Sequence, residues 1–456
     1  MLRNSVNRIL PALLAGLALV LTACGGGGGG ASSGNAARSA TITVSASISG
    51  VPGAGGLVLH DSAGDDIVVA ADGSYDFPTL LATGDNYSVT VQTQPSGSYC
   101  TVSNGSGQVG ATNIVIGIRC VAAAHFAYVA NYGSNTISGY SIDAASGALT
   151  AIPGSPFAAG QGPQDIGISP DGRFVYAVNY QDNTVWTYAA NAATGALVAT
   201  GNTAATGNSP WAIAIDPTGS YAYVTDSMDN TVSAYAIDAA TGALSELSSS
   251  PYVTEVEPEG IRIDPTGKYV YIANADDDDL SGFAIDAASG ALTPLSSGPF
   301  RVGSGVQSLS INAGGNLLFA VNGNDGTLTG FALDPASGAL SPLPQGAVVP
   351  NGNPGMFAIT PDGKYAFVTD YSTPSGAVLG YTIDGSGALT DMAAPFAAGD
   401  APWALTVDPG SRFVYVANEY GGTVSAYSID PASGALVPLS SGPVSSGSYP
   451  TAIVVK

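Results

Sequence analysis

Seven Gly-Ala-Leu triplets begin at Gly147, Gly195, Gly242, Gly290, Gly338, Gly387 and Gly434. The steps between them are 48, 47, 48, 48, 49 and 47 residues. So regular a period makes residues 125–456 an array of one supersecondary unit, and the fold follows from what that unit is. The best-kept copy reads TVSAYSIDPASGAL and ends at Leu436. Close copies end at Leu149, Leu244 and Leu292, and diverged ones at Leu197, Leu340 and Leu389.

One full unit runs from Pro402 to about Leu439. Ala404–Val407, Phe413–Asn418 and Val424–Ile429 alternate as strands, and a fourth strand starts at Ala435. Pro409-Gly410-Ser411 and Asp430–Gly434 are turns. Four short antiparallel strands per repeat predict a propeller blade. The Trp-Asp signature of WD40 blades and the Gly-Gly pairs of kelch blades are absent, and no stretch sustains a helical period.

First strands start near Pro163, Pro210, Pro258, Val306, Pro354, Pro402 and Pro450, which counts seven. The array opens on a second strand, Phe126–Asn131, and closes on a lone first strand, Pro450–Lys456. Joined, these halves complete one blade and close a ring without free edges. Apolar pairs from Ile166/Ile168 to Ile453/Val455 and repeating aromatics, Tyr128 to Tyr415 and Tyr140 to Tyr427, are expected to pack between blades. The expected fold class is all-β: a seven-bladed β-propeller over 122–456 behind a small β-sandwich over 40–121.

The sandwich is read from alternating segments such as Thr41–Ser45, Gly56–Leu59, Ile67–Val69, Tyr87–Val91 and Ile114–Ile116. Cys100 and Cys120 are expected to form a disulfide, since an even pair in an exported β domain oxidises. That bridge closes a loop of about 20 residues and contributes ~3 kcal/mol. His60 has no second ligand at metal spacing.

Before the sandwich, Arg3 and Arg8 precede the short apolar run Ile9–Leu21, which ends in Leu21-Thr22-Ala23-Cys24. This predicts a signal peptide over 1–23. The last four residues resemble a bacterial lipobox, which implies acylation of Cys24 and anchoring in the cell envelope. Gly25 after Cys24, rather than Asp, implies the outer membrane by the same resemblance. Residues 24–39, with six glycines from Gly25 to Gly30, read as a flexible tether.

The net charge of −23 argues against nucleic acid as a partner, because a phosphate backbone needs a basic face. It leaves cations, an envelope protein or a carbohydrate as partners, with the membrane reached only through the lipid. A monomer is expected.

Tyr128-Val-Ala-Asn131, Tyr223-Val-Thr-Asp226 and Tyr415-Val-Ala-Asn418 resemble YVTN-type propeller repeats of bacterial surface proteins. The pattern from Pro163 to Gly172, then Tyr-Ala-Val-Asn, then Gly-Ala-Leu, resembles the seven-bladed lactonase family, which includes propeller 6-phosphogluconolactonases. The resemblance covers about 125–456 and implies lactone hydrolysis by a His, an acid and an Arg in the central cleft. This chain departs from that set. The array's one histidine, His125, starts a strand at the turn end, away from the mouth. Arg173, Lys268, Lys364 and Arg412 recur as turn residues, so only Arg262 and Arg301 break the repeat among the basic residues.

Arg262 stands mid-strand where other blades carry small or apolar residues, with Glu259 and Asp165 expected near its level. It is either an anion or carbonyl clamp with Glu259 as base, or part of a structural ion pair. Trp211 and Trp403 follow first-strand prolines and are candidate walls of a ligand mouth. Glu255, Glu257 and Glu259 share one blade with Asp276, Asp277, Asp278 and Asp279. Such carboxylates suit Ca2+, although no calcium-loop spacing accompanies them, and a solvated acidic surface is the simpler reading. The Asn or Asp ending each second strand is expected to bind its own backbone in a turn. Two function classes follow: a binding module using the acidic mouth, which the missing histidine favours, and a hydrolase of an unphosphorylated lactone.

Overall fold

The computed structural model describes residues 41–456 apart from 52–55, 94, 96–97, 123–124, 351, 373–375 and 393. The expected signal peptide, Cys24 and the glycine tether lie outside the described residues.

Val44–Ser49, flanked by Gly73–Asp76 and Ile114–Ala122, joins Ser98–Ser103 in one four-stranded sheet. Leu57–Asp61, Asp66–Val69, Asn86–Thr93 and Ser106–Gln108 make a second. Alternate residues of both sheets (Val44, Ala46, Ile116 and Ile118 against Leu57, Leu59 and Val89) meet in one core. Cys100 and Cys120 stand directly opposite on adjacent strands and are bonded. Their bond ties the edge strand to its neighbour. His60 pairs across two strands with Asp66 at 2.7 Å.

From His125 onward the chain makes seven sheets, numbered here as blades 1 to 7 in chain order. Each has an inner first strand of six residues, a buried second strand, a third strand and an outer fourth strand, which is three residues long except in blade 2, where it runs over Leu197–Ala205. Blade 1 is built from both ends of the array. Its second strand His125–Asn131 takes Pro450–Val455 as its first strand, with Val129 opposite Ile453. Phe126 and Lys456 exchange backbone hydrogen bonds beyond that ladder. The chain therefore forms a closed seven-bladed propeller.

The blades are fastened by the repeating aromatics. Tyr128, Tyr223, Tyr271 and Tyr415 in second strands donate their hydroxyls to the carbonyls of Gly195, Gly290, Gly338 and Gly147 in the next blade. Tyr140, Tyr188, Tyr235 and Tyr427 in third strands donate to backbone carbonyls of the preceding blade. The Gly-Ala-Leu glycine is required here on two grounds. Its φ lies near +70°, and a Cβ at Gly147 would sit 2.4 Å from the ring of Phe413.

The last apolar residue of the first strands serves two spaces. Ile168, Ile215, Ile359 and Val407 pack against the clusters between blades as expected, yet remain half-buried because they also line the lower central channel.

The strand-end Asn residues also depart from the turn-forming role expected. Asn131 is fully buried, and its Nδ2 donates to the hydroxyls of Thr136 and Ser138 on the third strand. Asn274, Asn322 and Asn418 repeat this clasp. Their sheet partners supply hydroxyls at the right register, so the side chain turns inward rather than to its own backbone. Blade 3 has Asp226 in this position, accepting from Ser233 and Thr231. Burial there pushes its carboxyl up to about 6.

Two tests follow from these contacts. Deleting 450–456 bares the edge of the second strand of blade 1 and its buried partners, and should unfold or oligomerise the protein. Unchanged melting and unchanged monomer mass would refute closure as the stabilising device. Asp226→Asn restores the neutral clasp. The folded pKa of Asp226 is raised, so its stability is present below the unfolded value of 3.8 and is lost as pH climbs toward about 6. The variant should therefore melt higher than the parent above pH 6, by about 2 kcal/mol, and equal it near pH 4. Melting curves at both pH values read this directly.

Candidate functional site

The first strands run down the central channel, so residues at equal steps form rings. The second residues form the upper ring: Gln164, Trp211, Glu259, Gln307, Gly355, Trp403 and Thr451. Beneath it a small pocket of about 30 Å³ is walled by Trp211 and Trp403 and floored by Asp165, Arg262, Ser308 and Met356. Below that floor the lower channel, about 360 Å³, is lined mainly by Ile, Val, Leu and Ala side chains. Asp165, Arg262 and Met356 line both spaces and form the partition between them.

Two features of the floor are unusual. The hydroxyl of Ser308 is 2% exposed and has no hydrogen-bond partner among the described residues. A buried polar group left so is costly unless a ligand or water completes it. The second feature is the charge. Arg262 keeps surface only toward the channel, donates from Nη1 to the carbonyl of Ile261 at 2.8 Å, and is pulled down by burial while Asp165 opposes that shift. Asp165 accepts the Ile213 N–H of blade 3 at 2.9 Å and its neighbour Ile166 N–H at 2.8 Å. Burial raises its carboxyl, and the two amides and Arg262 offset part of that rise. The two side chains attract across the channel, but they are not a contact ion pair.

Glu259, expected near Arg262, belongs to a different group. It is a ring above, and the charges acting on it are those of Glu257 and Asp276. Burial first, then these two carboxylates, push it up to about 8. Glu257 is raised as well, by burial and by the Asp276 carboxyl. Its backbone is held at φ 57°, with its N–H donated to Asn230.

The acidic run of blade 4 does not form a cation cage. Asp277 accepts the Val256 N–H, as Asp182 accepts that of Gln161 in blade 2. Asp278 accepts the Gly305 N–H, as Asn135 accepts that of Gly162. Asp279 is buried in the clasp of Asn274, where other blades have Thr. All three are occupied by the repeat's own loop bonds, and Glu255 is exposed on the surface. No group of three or more His, Cys, Asp or Glu suited to a metal ion occurs among the described residues. Only Asp276 faces the Glu257–Glu259 pair.

The other half of the mouth is aromatic. Trp403 meets Tyr371 at 5.3 Å, Tyr371 meets Tyr420, and Tyr420 meets Tyr449, the last two at 5.8 Å. Tyr449 passes to Tyr132 through a backbone bond. Tyr132 then meets Tyr180 at 6.3 Å, and Tyr180 meets Trp211 at 5.9 Å. Only Trp211 and Trp403 stood out in the chain itself. Tyr132, Tyr180 and Tyr371 carry a legible signal, because they follow the strand-end Asx at the position where blades 3, 4 and 5 have Ser227, Ala275 and Gly323, while Tyr420 stands one residue further on and Tyr449 precedes the first-strand Pro450. His125, by contrast, hydrogen-bonds the Lys456 carbonyl where the blade-1 strands pair.

A sequence profile described as "Lactonase, 7-bladed beta-propeller" matches residues 122–258, 255–354 and 346–452. No curated protein matches the chain. Among solved structures the fold is similar to a protein assigned as a 6-phosphogluconolactonase from Bacteroides uniformis ATCC 8492, at 17% identity and TM-score 0.65, over 73% of this chain and 99% of that one. A protein with the same assignment from Bacteroides fragilis NCTC 9343 gives 22% identity and TM-score 0.64, over 73% and 98%. The Pseudomonas aeruginosa periplasmic gluconolactonase gives 20% and 0.61, also over 73% and 98%. At these identities the likeness speaks for the fold, while the profile match spans most of the chain: the protein belongs to the seven-bladed β-propeller lactonase family.

Proposed function

We propose that the protein is a lactonase-type hydrolase acting on an unphosphorylated lactone at the propeller mouth. One observation carries this: a pocket in a lactonase-family propeller has an unpartnered buried hydroxyl and a guanidinium on its floor, with a carboxyl poised near neutrality in the ring above. In the proposed reaction ionised Glu259 takes a proton from water as the water oxygen bonds to the lactone carbonyl. The carbonyl π electrons move to oxygen, where Arg262 supplies positive potential from the floor. Collapse breaks the bond to the ring oxygen, which takes the proton back from Glu259 and leaves a hydroxy acid. A phosphate group is disfavoured, because Glu257, Glu259 and Asp276 repel it and none of the residues lining the pocket besides Arg262 is basic. The same reading places the enzyme at the cell envelope through acylated Cys24, and loss of radiolabelled palmitate in Cys24→Ala tests that anchor.

Turnover should be sought on five- and six-membered aldonolactones, with and without phosphate, corrected for spontaneous opening. Unphosphorylated lactones should turn over with a rate that rises through about pH 8 as Glu259 ionises. Glu259→Gln should lower kcat by about 100-fold or more. No turnover across the panel removes the hydrolase reading.

The same variant has an independent stability signature. The folded pKa of Glu259 is raised from 4.5 to about 8, so its stability is full below 4.5 and is lost as pH rises through about 8. Glu259→Gln, neutral at every pH, should match the parent near pH 4.5 and exceed it by about 2 kcal/mol above pH 8, allowing for partial exposure. Thermal melts at pH 5, 7 and 9 check the trend.

A further inference from the structure

We propose that the lactone is the terminal ring of a longer neutral saccharide chain, and that the following rings lie along the aromatic arc of the mouth. This rests on the mouth being the substrate site. Three observations support it.

The arc is not required by the fold. The propeller's own aromatics, such as Tyr128, Tyr223 and Tyr427, are fully buried between blades. Tyr420 and Tyr449 are instead 55% and 48% exposed, and no other blade has an aromatic residue at either position. Exposed large rings gathered in one patch mark a contact surface.

The arc is continuous with the pocket. Both of its ends, Trp211 and Trp403, are pocket walls, so a ligand held at the opening of the pocket meets the tyrosines directly. Ring orientations are fixed in advance. Tyr371 donates to Glu419 at 2.5 Å, and Tyr132 accepts from Gln181 at 3.0 Å. Rings already locked lose little freedom when a ligand arrives.

The chemistry of the rim selects the ligand. A sugar ring offers C–H faces to the negative face of an aromatic ring and hydroxyl edges to polar neighbours. Gln164 in the upper ring suits those hydroxyls, as does Oε1 of Gln307, whose Nε2 is held by the carbonyls of Pro354 and Gly355. The basic side chains Arg173, Lys364 and Arg412 are held by Asp171, Asp362 and Asp408 at the turns between first and second strands, and Arg301 donates to the Asp277 carbonyl beside the Asp279 carboxylate on the acidic side, so the aromatic side of the rim offers no cation among the described residues to recruit uronates, sulfated or phosphorylated chains.

The test is a chain-length series of neutral glucose oligomers, β-1,4- and α-1,4-linked, from one to four rings, each with its terminal unit as the lactone. One linkage should show KM falling about tenfold or more from monomer to tetramer, with little change in kcat. Tyr420→Ala/Tyr449→Ala should collapse the tetramer-over-monomer preference toward unity, while Tyr420→Phe/Tyr449→Phe retains it. Binding of the corresponding reduced oligomers, followed by tryptophan fluorescence, reads the arc without chemistry. Length-dependent binding that the Ala variant loses, with no lactone turnover, would keep the arc and remove the hydrolase. Turnover without length dependence in either linkage would do the reverse. No oligomer binding at millimolar concentration, or quenching by amines or aromatic peptides alone, would overturn the saccharide assignment.

Discussion

The ring depends on the aromatic residue that each second strand packs against the next blade, and at four of the seven junctions a tyrosine hydroxyl there donates to a glycine carbonyl of that blade. Tyr128 to Gly195, Tyr223 to Gly290, Tyr271 to Gly338 and Tyr415 to Gly147 are those four. A sheet four strands wide cannot bury both faces by itself, so each blade is stable only against its neighbours. The tyrosine body fills that interface, and its hydroxyl would be an uncompensated buried group without the glycine carbonyl. Glycine answers both needs. Its positive φ turns the hairpin inward, and its missing side chain admits the aromatic ring that packs there. The Tyr415 bond also crosses the seam between the last blade and the first, beside the strand Pro450–Val455 that closes it.

Because so much of the sequence serves this fastening, variation is concentrated at the mouth. Seven inner strands present the same backbone, yet the upper ring mixes two Trp, one Glu and two Gln among smaller residues. The consequence is a two-sided rim. Blade 4 gathers Glu257, Glu259 and Asp276, and burial together with the neighbouring carboxylates pushes Glu259 up to about 8. The blades on either side of the closure carry the aromatic arc. The single guanidinium between them sits deep, facing Asp165 across the channel and held by burial in a medium that strengthens its field.

Much of this was legible in the chain. The period, the split blade and the cysteine count led to a closed propeller and a bonded Cys100–Cys120 pair, since these depend on counting and on local pattern. The candidate site was legible only in part. Asp276 to Asp279 read as one acidic cluster, but three of the four occupy positions where other blades have Asp, Asn and Thr making equivalent bonds. Aligning the loops, rather than counting charges, would have separated Asp276 from the rest. Glu259 and Arg262 are three residues apart on one strand, a spacing that suggested partnership. The bulge after Pro258 and the vertical rise of the strand put them in different rings with different neighbours.

Local repetition alone determined the blade, the blade count and the closure, because each repeat states the same strand and turn chemistry and only one ring consumes seven of them. Which side chains share a space was decided by the tertiary structure. Tyr132 and Tyr449 are over three hundred positions apart, and Trp211 and Trp403 nearly two hundred, yet ring closure brings them to one rim. No pattern along a chain encodes that meeting, since it arises from the curvature of seven packed sheets. The protonation of Glu259 was decided in the same way, because it depends on how much water the neighbouring blades exclude.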